Sequence, residues 1–79
     1  SMRYKTITVH VSPRSNNSTH SCSTLSGETW DSLEEALNKL GCDGWEIDHV
    51  IHKTLVCHHD QEYLLLNQPV LILKNNILN

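Results

Sequence analysis

Only one stretch of this chain, SLEEALNKLG at residues 32–41, carries the period of a helix. Leu33, Ala36, Leu37 and Leu40 fall at i, i+3, i+4 and i+7, which makes a single apolar stripe. Asp31 or Ser32 can cap it, since Glu34 and Glu35 follow each by three residues in the spacing of a capping box. The acids then occupy the first turn and Lys39 the last, as the helix dipole favours. Gly41 suits the left-handed position that stops a helix, CDG turns the chain, and Trp45 opens the next element. One amphipathic helix has one face to bury. Everything else in the fold must come from strands and connections.

The strands follow from period-two alternation. In RYKTITVHVS, residues 3–12, Ile7, Val9 and Val11 point one way and Thr6, Thr8, His10 and Ser12 the other, so a half-buried strand is predicted, ended by Pro13. A second begins at Trp45 and places Trp45, Ile47, His49 and Ile51 on one face, with Trp45 and Ile47 beneath the helix stripe and the strand continuing through Leu55 and Cys57. A third is VLILK, residues 70–74, after Pro69. Between them CHHDQEYLLLNQ fits a hairpin turning at HHDQ or a short helix from near Asp60, with the hairpin preferred. Residues 13–29 hold almost nothing apolar besides Leu25 and form a long polar loop, and 75–79 a frayed tail. The expected architecture is therefore α+β: a small, mostly antiparallel sheet with one helix on one face, in β-α-β-β order.

Seventy-nine residues make one small domain, and Ser1 ahead of Met2 is taken as the remnant of a cleaved tag. A globule of this size buries only about 60% of its unfolded surface, so a marginal core gains from self-association. The formal net charge of −3 and a pI near 6.0 argue against duplex nucleic acid, and no apolar run approaches a membrane span. Three widely spaced cysteines, Cys22, Cys42 and Cys57, are no disulfide framework, which points to a reducing, cytoplasmic setting.

YKTITV, LEEALNKLG, GWEI and LILK together resemble a family of small bacterial and phage proteins catalogued as domain of unknown function 4177. The likeness covers about half the chain. It implies a β-α-β-β fold and carries no activity with it, and the long polar loop and the CHHD segment depart from the family pattern.

Candidate chemistry is sparse. Cys57, His58, His59 and Asp60 are all metal-capable, but neighbours on a strand point to opposite faces, so only Cys57 with His59, or His58 with Asp60, could converge, and Cys57 and His59 are the weak candidates. No cofactor is expected. The cysteines lack an ordered base and orienter, and Glu34 and Glu35 sit on a solvated helix face, so no enzyme is expected either. His49 is expected to be a satisfied buried histidine. Arg14, Asn16, Asn17 and His20, with Trp30 as a stacking plane, make an inventory able to hold a small nucleotide-like ligand, whereas the plainer reading is a solvated loop with Trp30 packed on the helix. The last strand is apolar on both faces, and a single helix covers one. Leu64, Leu66, Leu71 and Leu73 are therefore expected at an interface with a second copy of the chain. The function expected is a non-catalytic, homo-oligomeric binding module, of a phage type that sequesters a nucleotide between subunits. The alternative is a structural or regulatory adaptor that binds another protein through its apolar sheet face.

Overall fold

The computed structural model describes residues 1–11 and 21–77, the side chain of His59 excepted. It is an α+β fold: an antiparallel sheet of five strands with one helix. The elements are β1 (Met2–Val9), β2 (Cys22–Ser23), β3 (Thr29–Trp30), α1 (Leu33–Cys42), β4 (Glu46–His59) and β5 (Glu62–Asn76). The sheet order is β3-β2-β1-β5-β4. The expected β-α-β-β order is thus corrected to β-β-β-α-β-β. The two extra strands lie at the end of the segment expected as loop, and each has two residues, too few to show a period. Tertiary pairing makes them: Cys22 and Ser23 sit opposite Val9 and Thr8 of β1 on one side and Trp30 and Thr29 on the other. Their tight connection is held by the Thr24 hydroxyl, which accepts from the Glu28 amide, and by Gly27 at φ 93°.

The tail also pairs where fraying was expected. Asn75 and Asn76 lie opposite Arg3 and Met2, and the Ile77 amide donates to the Ser1 carbonyl. Pro69 does not begin β5 but lies within it. Pairing with β1 stops at Val70, so Pro69 stands where one side of β5 has no ladder to serve.

α1 starts as its sequence requires. Ser32 Oγ accepts from the Glu35 amide at 3.2 Å, and the Glu35 carboxylate reaches back to the Asp31 amide. Its end differs from expectation, because Gly41 is helical. The Gly44 amide donates to the Gly41 carbonyl and the Trp45 amide to the Leu40 carbonyl, both at 3.0 Å, with Gly44 at φ 93°. That is the Schellman pattern with Gly44 at C′ and Trp45 at C″. The accompanying apolar contact is present too, since Leu40 and Trp45 pack in the same core cluster. The corner is tied to the sheet by Asn75, whose Nδ2 donates to the Asp43 carbonyl at 2.9 Å.

Directly opposed residues in an antiparallel pair share a face. Ile7 with Leu71, and Val9 with Cys22, therefore lie under Ala36 and Leu40, with Leu73 alongside, and Trp30, Leu33, Leu37 and Trp45 close the cluster. Leu71 and Leu73, expected at an interface, are 4% and 1% exposed. They are the floor of the core beneath the helix and are corrected to that role. The alternate residues Val70 and Ile72 take the far face.

β4 carries a second correction. A bulge between Ile47 and His49 puts one extra residue, Asp48, into the strand, since Ile47 faces Leu73 and His49 faces Ile72. Beyond the bulge the alternation inverts. His49 and Ile51 move to the helix-free face and Val50 joins the helix side opposite Leu71. His49 is exposed and not buried as expected.

Candidate docking surface

β4 and β5 pair without interruption from His49↔Ile72 to His59↔Glu62. The two residues left at the end, Asp60 at φ 49° and Gln61 at φ 65°, form the two-residue turn with both φ positive that matches strand twist. The preferred hairpin at HHDQ is therefore the observed one, and the helical alternative from Asp60 does not form. β1 pairs with β5 only from Val70 to Asn76. From residue 53 to 68 the hairpin is a two-stranded arm, with no third strand beside it among the described residues. The molecule measures 53 × 19 × 19 Å, and its radius of gyration is 14.4 Å. A compact domain of this length would have about 12 Å.

The arm is greasy on both faces. On the helix side Val56 opposes Leu65 and His58 opposes Tyr63, and Val56, Leu65 and Tyr63 are 65%, 72% and 76% exposed. The His58 and Tyr63 rings stack with centroids 4.9 Å apart. On the helix-free side Leu55 opposes Leu66 and Cys57 opposes Leu64. Leu64, Leu66 and Cys57 are half-buried, and Leu55 is exposed. A two-stranded hairpin by itself is at best marginally stable in water. Of the four leucines expected at an interface, then, Leu64 and Leu66 are on this surface, and Val56, Tyr63 and Leu65 are additions. Folding the sequence about Asp60-Gln61 sets Leu55, Val56 and Cys57 opposite Leu66, Leu65 and Leu64, which is the signal that would have found them.

The other candidate residues gather into no site. Arg14, Asn16, Asn17 and His20 lie outside the described residues. Trp30 is half-buried and packs against the core cluster. Among the described residues no group of three or more His, Cys, Asp and Glu is placed to hold a metal ion. Cys57 lies on the helix-free face of the arm, and the side chain of His59 is outside what is described. Burial pushes the Cys22 thiol up, away from a nucleophilic thiolate. An open groove of about 300 Å³ beside β1 is lined by Tyr4, Lys5, Thr6, Thr24, Leu25 and Ser26. Its one cation, Lys5, is 3.1 Å from the Glu28 carboxylate and 5.0 Å from the Trp45 ring centre, engaged in structure rather than aimed at a reactant. Among the described residues no helix is long and apolar enough to cross a membrane.

The bulge gives one titration to follow. The Asp48 carboxylate accepts from His49 Nδ1 at 2.9 Å and lies 3.5 Å from Lys74 Nζ. The hydrogen bond to His49, outweighing the cost of desolvation and helped by Lys74, holds its pKa below the usual 3.8. A lowered carboxylate stabilises the folded state above the unfolded pKa, and that contribution is lost as pH falls below 3.8 through the folded value. In a His49→Ala variant the Asp48 midpoint, followed by carboxyl carbon NMR shifts, is expected to move up toward 3.8. An unmoved midpoint would assign the effect to Lys74.

No family model, no curated protein and no solved structure matches this chain.

Proposed function

We propose that this chain is a non-catalytic binding module that docks the β4–β5 arm on a protein surface, in the first place a second copy of itself. The observation that carries this reading is the arm, with apolar side chains exposed on both faces of a ribbon that has no third strand among the described residues. An isolated hairpin is marginal in water, and contiguous exposed apolar surface marks contact sites. Docking on an unlike protein, the adaptor role, uses the same surface.

Amide hydrogen exchange across residues 53–68 tests the reading. These amides are expected to exchange rapidly in dilute protein and to gain protection of roughly tenfold or more as concentration rises, while the amides of β1 and α1 stay protected throughout. Fast exchange in the arm at every concentration would refute self-docking.

A further inference from the structure

We propose that the 62–68 segment of β5 pairs antiparallel with the same segment of a second copy, with Leu65 on the two-fold axis. This rests on the reading of the arm as the docking element and says which edge docks, on what, and in what register.

β5 is 15 residues long, and β1 lines its outer side only from Val70 to Asn76. The segment before Pro69, EYLLLNQ, presents an edge of backbone donors and acceptors with no strand beside it among the described residues. Natural sheets protect such edges with lysines, prolines, bulges or inward charges. The far edge of the arm, on β4, has one of these devices, Lys53, and the bulge at Asp48 lies before the arm begins. The 62–68 edge has neither a basic residue nor a bulge, and Pro69 lies just past its end. Among the described residues no strand covers the 62–68 edge, which has Glu62 at one end and Pro69 just past the other.

The 62–68 edge is complementary to itself. Pairing about Leu65 sets Leu64 opposite Leu66, Tyr63 opposite Asn67 and Glu62 opposite Gln68, twice over, and no like charges meet. A two-fold axis perpendicular to the sheet keeps helix side with helix side. The two Leu65 side chains therefore meet on that face, and the Leu64 and Leu66 pairs make a four-leucine cluster on the other. Each copy's arm would lie in line with its partner's β1, filling the place beside β5 that β1 leaves empty.

The test uses the full chain. The wild type is expected to sediment at about twice its 9.0 kDa. Leu65 is 72% exposed in the single chain, so its replacement spares the fold. Leu65→Lys and Leu65→Glu should each sediment as single chains with unchanged circular dichroism, because like charges meet on the axis, and equimolar mixing should restore the dimer. In a Cys42→Ser, Cys57→Ser background, Leu65→Cys should form a disulfide-linked dimer on air oxidation, and Thr54→Cys on the β4 edge should not. Directly opposed residues have Cα atoms roughly 4.5–5.5 Å apart, within disulfide reach. A dimer that survives Leu65→Lys, or mixing that restores nothing, overturns the pairing. If residues 53–68 still gain protection with concentration in that case, docking stands and only the edge assignment falls. A wild type that stays a single chain with 62–68 protected would mean that the chain's own residues cover the edge, and that too overturns the proposal. A single chain with an unprotected arm removes both readings.

Discussion

A Leu73→Ala variant is expected to lose about 3 kcal/mol of stability, the ordinary cost of truncating a fully buried leucine. Leu73 is 1% exposed, lies opposite Lys5 on β1 and Ile47 on β4, and packs in the cluster with Ile7, Ala36, Leu40 and Leu71. A domain this small has few such residues to lose, and its total stability is on the order of 5 kcal/mol. Over half of it would go. The urea midpoint should fall by more than half with little change in slope, and the helical circular dichroism should melt with the sheet signal in one transition. The outcome separates two roles for one residue. At an interface, the same truncation would dissociate copies and leave the helix signal intact at room temperature. At the core, it unfolds the chain whatever its association.

Gly44→Ala should cost about 2 kcal/mol, and Gly41→Ala should have the opposite sign. Gly44 sits at φ 93°. An L side chain in that region costs on the order of 1–2 kcal/mol. A Cβ there would also stand 3.2 Å from Asn75 Oδ1 and 3.3 Å from its Nδ2, and moving the amide away would weaken its 2.9 Å bond to the Asp43 carbonyl. Gly41 is in the last turn of α1, and a methyl group added to it would meet nothing within 4 Å. Alanine there should stabilise by roughly 0.5 kcal/mol through helix propensity. Paired urea titrations read both signs. Destabilisation by Gly41→Ala comparable to that at Gly44 would contradict the Schellman ending.

The glycine pair shows how far local reasoning reaches. LNKLGCDGW announces a helix stop followed by a strand, and both are present, because propensity and capping act within a few residues. Which glycine makes the stop depends on where the last turn is pulled by Leu40 and Trp45 packing into one cluster, and that is a tertiary fact. Trp30 is similar. Its neighbours in sequence allow either a stacking plane or a plug on the helix, and its packing against the core is visible only in the tertiary structure. The other four residues of the ligand inventory, Arg14, Asn16, Asn17 and His20, fall outside the described residues.

What the residues determined without help is the α+β class, the helix with its cap at Asp31 or Ser32, and the buried side of β1, with a hairpin at HHDQ preferred over a helix. Each of these depends on spacing along the chain or on the φ preferences of a turn. What only the assembled structure decided is partnership across the sheet. β2 and β3 exist because β1 offers them an edge, and Asp48 inverts β4 because it has no opposite number on β5. Leu71 and Leu73, rather than Val70 and Ile72, lie under the helix because of the register between β1 and β5. In a strand apolar on both faces the period-two signal vanishes, and with it any local means of telling the inside from the outside. Pairing then assigns the faces, and the same pairing ends at Val70, beyond which the far half of β5 has no strand on that side among the described residues.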